Sequence, residues 1–93
     1  MKARFPSDLP VEICGHLFDN YHNRGVVLVF QYSDGVEVTG LLRSLRDEDG
    51  NYLAAVLSDR GTECLRPGIA SITRRSSGQQ IYCSRAGKVG RKS

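Results

Sequence analysis

The chain has 93 residues, 40% of them hydrophobic and 25% charged, with a net charge of +3. A chain of that size holds one core and buries about 60–70% of the surface it would expose unfolded, so a single domain is expected. It has no apolar run of about 18 residues and no basic start leading into an apolar signal segment, which argues against a membrane span or export and makes a cytoplasmic location the default expectation.

Leu9, Ile13, Leu17 and Tyr21 recur at four-residue intervals with Cys14 and Phe18 on the same side, which predicts a helix over about 8–24. Ser7 or Asp8 is suited to cap its start and Gly25 to take the left-handed position after its end. Pro10 is tolerated in a first turn, whereas Gly15 costs about 1 kcal/mol in mid-helix. From Val26 the period changes to two. Val26–Tyr32 reads as an apolar strand, Ser33-Asp34-Gly35 as a turn, and the next strand turns Val36, Val38 and Leu42 to one face and Glu37, Thr39 and Arg43 to the other. Gly40 falls on the inward face, where a missing Cβ lets a strand bend around a small core.

Asp47-Glu48-Asp49-Gly50-Asn51 reads as a second hairpin loop, followed by a strand Tyr52–Leu57, a turn at Asp59-Arg60-Gly61 and a fourth strand to Leu65. Pro67-Gly68 interrupts pairing before a fifth strand, Ile69–Ile72; Gln79–Ser84 is a candidate added strand, and 85–93 reads as a flexible basic tail. The expectation is a mainly β domain over 1–84, with an N-terminal α-helix ahead of a five-stranded, strongly bent antiparallel barrel.

Charge is unevenly placed along this order. Up to Thr73 the chain holds 7 basic and 10 acidic residues, whereas Arg74, Arg75, Arg85, Lys88, Arg91 and Lys92 follow with no acid among them. A basic end seeks phosphate or acidic protein, and an acidic body repels a nucleic-acid backbone. Cys14, Cys64 and Cys83 are odd in number and form no CxxC, so reduced, partly buried thiols are expected. Cys14, His16 and His22 lie two and six residues apart, unlike a helical zinc set, and the Asp47–Asp49 run reads as a solvated turn. No nucleophile and base are spaced for catalysis, so a non-enzyme without metal or cofactor is expected. Phe30 and Tyr32 share a face and read as core rather than as a stacking platform with Tyr52, whereas Tyr82, with Arg85 near it, is a candidate base contact.

Gly35, Val38, Gly40, Leu42 and Asn51, followed by Leu65, Arg66, Pro67-Gly68, Ile69 and Ile72, resemble the two motifs of the Sm-like fold, with second-motif spacing similar to the Hfq type. The resemblance implies that Asn51 and Arg66 line a base-binding pocket, although Asp49 stands where a planar side chain would stack. Pro10…Cys14, Asp34-Gly35, Tyr52-Leu53, Leu65-Arg66 and Gly78 before Gln79–Ser84 also resemble, in order, the Rof family of Sm-like proteins, which implies binding to the termination factor Rho through acidic surface.

The first functional expectation is RNA binding by Asn51, Arg66, Arg74, Arg75, Tyr82, Arg85, Lys88, Arg91 and Lys92. The alternative is docking on an RNA-handling protein such as Rho through Asp19, Glu37, Asp47, Glu48 and Asp49. A third is a homo-oligomer paired through the edges of the fourth and fifth barrel strands.

Overall fold

The structure, a computed structural model, describes residues 3–84. Its strands are β1 (Ala3–Arg4), β2 (Val27–Tyr32), β3 (Glu37–Arg46), β4 (Tyr52–Ser58), β5 (Gly61–Cys64), β6 (Ile69–Arg74) and β7 (Gln80–Cys83), with one helix, α1 (Val11–Tyr21), between β1 and β2. The molecule is therefore mainly β, with one short helix ahead of a curled, half-barrel sheet in the order β1-β4-β3-β2-β6-β7, β5 being a further neighbour of β4. All pairings are antiparallel except the two-residue β1–β4 contact.

The period-two pattern explains the sheet. Leu28, Phe30 and Tyr32 of β2, Leu42 of β3, Ala54 and Val56 of β4, and Ile69 and Ile72 of β6 are buried, with Leu28 opposite Gly40 and Phe30 opposite both Val38 and Ile72. Cys14, Leu17 and Tyr21 bury one stripe of α1 in this core. Gly40 is the tightest point of the sheet, because a Cβ there would collide with the carbonyl of Leu57 on β4. At the β2–β3 hairpin, Gly35 has φ +94°, a left-handed turn position that glycine adopts without steric cost.

The helix is shorter than its apolar repeat suggests. Pro10 stands at its N-cap in an extended conformation (φ −58°, ψ 144°) and no side chain caps it. Asp8 instead accepts a hydrogen bond from the Gly68 backbone N–H at 2.8 Å, tying the segment before the helix to the β5–β6 bend. At the other end His22 is extended, and Asn23, rather than Gly25, takes the left-handed conformation at φ 58° while donating its N–H to Leu42 O. Leu9 thus packs from an irregular segment, and the helical period begins only at Val11.

Two outer strands decide which sheet edges are open. β1 lies beside Tyr52–Leu53 and β5 beside Ala55–Ser58, so the two share one edge of β4 end to end. β7 pairs with Ser71–Thr73 and covers the outer edge of β6, the fifth barrel strand expected to serve oligomer pairing. β5, the fourth, pairs only with β4 among the described residues, and all its residues are exposed. No helix among the described residues is long and apolar enough to cross a membrane.

Candidate functional site

A groove of about 500 Å³ opens between the β2–β3 hairpin and the β4–β5 hairpin. Tyr32, Val36, Glu37, Val38 and Thr39 form one wall; Ser58, Asp59, Arg60, Glu63 and Cys64 form the other, and Arg66 closes one end. The walls meet because β5 turns back on β4 at Gly61 while the curl of the sheet carries the start of β3 toward it.

Tyr32, Arg66 and Asp34 organise the closed end. Tyr32 is only 5% exposed. The Arg66 guanidinium carbon stands 3.9 Å from its ring centroid, and the Arg66 backbone N–H donates to Tyr32 Oη at 3.4 Å. Arg66 Nη2 also donates to both Asp34 carboxylate oxygens, at 3.1 and 3.5 Å. Both ends of this pair are open to solvent, with side chains 47% and 55% exposed, so water screens much of their attraction. Asp34 is held below the usual carboxylate range, chiefly by the Val36 N–H that donates to its Oδ1 at 3.1 Å; desolvation opposes this, and the charge and hydrogen bond of Arg66 add to the lowering. Burial pushes the Tyr32 phenol up, with the Arg66 N–H and charge partly offsetting it.

With Arg66 paired to Asp34, the groove keeps the carboxylates Glu37, Asp59 and Glu63 against the single cation Arg60. Gln31 Nε2 donates to Glu37 Oε2 at 3.2 Å and its Oε1 accepts from Ser71 Oγ at 2.9 Å, so a polar row runs from Glu37 across β2 to β6. No three His, Cys, Asp or Glu side chains gather to hold a metal ion among the described residues.

The two residues expected to line a base pocket are each engaged locally. Arg66 turns toward the β2–β3 hairpin, whereas Asn51 closes the β3–β4 hairpin, where its backbone N–H donates to Asp47 Oδ1 at 2.9 Å. Arg74 and Arg75 lie at the end of β6 around a separate depression beside Gly25–Val27; Arg75 is exposed, and Arg74 keeps its Nε buried without a hydrogen-bond partner. Tyr82 is half-buried, packs against the core and lies opposite Ile72, and burial pushes its phenol up. It is absorbed into the sheet more fully than its place in the last strand suggests. Arg85, Lys88, Arg91 and Lys92 lie outside the described residues.

The expected acidic surface also divides. Glu37 opens β3 and Asp47 follows its end, and a strand of ten residues spans up to about 30 Å. Asp47 is occupied by the loop itself, its Oδ1 accepting the backbone N–H groups of Asp49 and Asn51, both at 2.9 Å. Glu48, Asp49 and Asp19 are exposed. What the sequence reading missed is that Asp59 and Glu63, seen only as turn and strand residues, join Glu37; the signal was the tight Asp59-Arg60-Gly61 turn, which returns β5 along β4. The cysteines are free thiols, with Cys14 buried, Cys83 half-buried and Cys64 exposed on β5, the last more open than expected.

Comparison of this chain with family models, with curated proteins and with solved structures gave no match.

Proposed function

We propose that the protein is a non-enzymatic, Sm-like small-barrel module of RNA metabolism or transcription control. It docks through its acidic groove on a basic surface of an RNA-handling protein, and Rho is the first partner to test. The observation that carries this reading is the engagement of Arg66 by Asp34 and Tyr32. A basic residue so held is poorly placed to meet a base, while Glu37, Asp59 and Glu63 are left to face a cationic partner. The order of β2 to β6, a meander closed by β6 on β2, and the Rof-like residues beyond the barrel add support to the Sm-like assignment.

Titration calorimetry of the full chain against Rho tests the reading. Binding is expected to weaken as salt rises and to be lost in a Glu37→Lys, Glu63→Lys double variant. Equal affinity of the variant and the parent would overturn it.

RNA binding is a second reading, favoured by Arg74 and Arg75, neither of which has a carboxylate within 4.0 Å among the described residues. Fluorescence anisotropy of a labelled single-stranded RNA tests it. Affinity should fall steeply with salt, because each neutralised phosphate releases counterions, and an Arg74→Gln, Arg75→Gln variant should bind less tightly with a shallower salt slope.

A further inference from the structure

Arg74 ends β6 and Arg75 opens the turn to β7, beside the segment that leads into β2. A depression of about 400 Å³ lies there, lined by Gly25, Val26, Val27, Arg74, Arg75 and Ser76, with no carboxylate in its wall. The Arg75 N–H donates to Val27 O at 3.0 Å, which fixes the turn against the start of β2. The Arg74 N–H donates to Gln79 O and the Gly78 N–H to Arg74 O, both at 2.8 Å, so the turn is closed on itself. The Ser76 and Ser77 N–H groups and the Ser76 hydroxyl donate to no protein acceptor among the described residues.

The two cations are also unspent. Neither has a carboxylate within 4.0 Å among the described residues, and Asp59, which shares a neighbouring depression with Arg75, makes no ion pair with it. Arg74 Nε is buried and has no hydrogen-bond partner. A desolvated donor on a cation is costly when no acceptor meets it, and a bound anion is one of the few groups that offset the cost. Arginine suits that role for phosphate, because its planar fork of N–H groups matches two phosphate oxygens at once.

We infer that this depression binds a terminal phosphate monoester carried on a sugar, as in a nucleoside monophosphate or the phosphorylated end of an RNA. A monoester carries about −1.5 to −2 charges at pH 7 and a phosphodiester a single one, so two arginines without a competing acid suit the end of a strand better than its interior. The half-buried Val26 and Val27 give sugar carbons an apolar wall to rest on, which favours the ester over the bare ion. Occupation by an RNA end rests on the RNA reading proposed above; the phosphate site itself does not.

NMR titration of the full chain with AMP at constant ionic strength tests the site. The Val26, Val27, Ser76 and Ser77 amide resonances should shift and saturate with AMP, move at higher concentration with inorganic phosphate, and stay in place with adenosine. Arg75→Gln, a change at an exposed side chain that leaves the fold intact, should weaken AMP binding roughly five- to tenfold, whereas Arg60→Gln in the acidic groove should not. Equal shifts with AMP and adenosine, shifts confined to the amides of residues 85–93, tighter binding of inorganic phosphate than of AMP, or full affinity in Arg75→Gln would each overturn the inference. Two RNA trinucleotides, one 5′-phosphorylated and one not, separate the sources of the phosphate. The phosphorylated one alone moving these amides assigns RNA ends as a ligand, and both moving them equally would overturn the preference for a monoester. AMP bound at the site with no RNA binding would uphold this inference and remove the RNA reading alone. RNA binding that leaves the Val26, Ser76 and Ser77 amides unmoved would sink this inference alone.

Discussion

Arg66 covers Tyr32 twice, with its guanidinium 3.9 Å from the ring centroid and its backbone N–H donating to the phenol oxygen at 3.4 Å. The contact ties the β5–β6 bend to the end of β2, beside the Tyr32–Ile69 pairing and the Ser33 N–H bond to Gly68 O.

Each half of that contact can be removed separately. Tyr32→Phe keeps the ring under the guanidinium and leaves the Arg66 N–H without its acceptor, which should cost about 1 kcal/mol in urea unfolding. Arg66→Ala removes the cation over the ring and should cost about 0.5–1 kcal/mol. The exposed Asp34 pair should contribute little, so Asp34→Asn should leave the unfolding midpoint nearly unchanged in moderate salt unless the Val36 N–H bond suffers with it.

Alkaline pH should lower the protein's stability in two stages. Burial raises the Cys14 thiol and the Tyr32 and Tyr82 phenols above their ordinary values of 9.0 and 10.0. A group whose folded value is raised binds its proton in the folded state after the unfolded chain has lost it. Stability is therefore level below the unfolded value and falls as pH rises through and beyond it. The decline should start near pH 9 with Cys14 and steepen near pH 10 with the tyrosines. Cys14→Ala should delay the onset and Tyr32→Phe should flatten the second stage; profiles parallel to the parent would contradict this assignment.

Gly40→Ala should be the most damaging single methyl among the described glycines. The new Cβ meets backbone, the carbonyl of Leu57, which cannot move aside as a side-chain tip could. A loss of about 3 kcal/mol or more is expected, enough to prevent accumulation of a small folded domain. Circular dichroism and soluble yield check it, with Gly15→Ala as the contrast, since nothing lies within 4 Å of a Cβ at Gly15.

Local patterns in the sequence carried most of this fold. Alternation from Val26 onward, the glycines at the turns and the Pro67-Gly68 interruption identified β2 to β6, and Gln79–Ser84 anticipated β7. The two-residue β1 has no period to read, and the start of α1 was overestimated because Leu9 matches the helical repeat while Pro10 is extended. The site was less legible. Arg66 and Asp34 are 32 residues apart, and their meeting depends on the curl that brings one hairpin past another. Glu37, Asp59 and Glu63 likewise come together by strand register and curvature, which no short-range pattern encodes.

The β3–β4 hairpin separates structural from surface acids. Asp47 Oδ1 accepts two backbone N–H groups, so Asp47→Ala leaves both without that partner and should cost about 1–2 kcal/mol. Glu48→Lys and Asp49→Lys change only exposed side chains and should stay within about 0.5 kcal/mol of the parent. Asp47→Asn should recover most of the loss, because an amide oxygen still accepts those bonds. Equal costs for Asp47→Ala and Glu48→Lys would assign the loop no such organiser.

Acid should weaken the protein through His22 before the carboxylates titrate. The ring stacks on Phe18 at 4.4 Å between centroids and its Nε2 lies 3.2 Å from Ser44 Oγ. Burial first, and then the charge of Arg43, push its pKa below the ordinary 6.5. For a base with a depressed folded value, both states are neutral above pH 6.5 and stability does not depend on this group. As pH falls through 6.5 the unfolded chain takes up the proton first, so unfolding is favoured until the folded ring is protonated as well. The urea midpoint should therefore drop between pH 7.5 and pH 5.5. Arg43→Gln should shrink that drop by removing the neighbouring charge, while also releasing the carbonyls of Arg24 and Leu42 that Arg43 holds at 3.3 and 3.0 Å. His22→Gln supplies the cleaner comparison: it lowers stability at every pH through loss of the stack on Phe18 and should abolish the slope. A slope that survives in His22→Gln would place the acid sensitivity elsewhere in the fold.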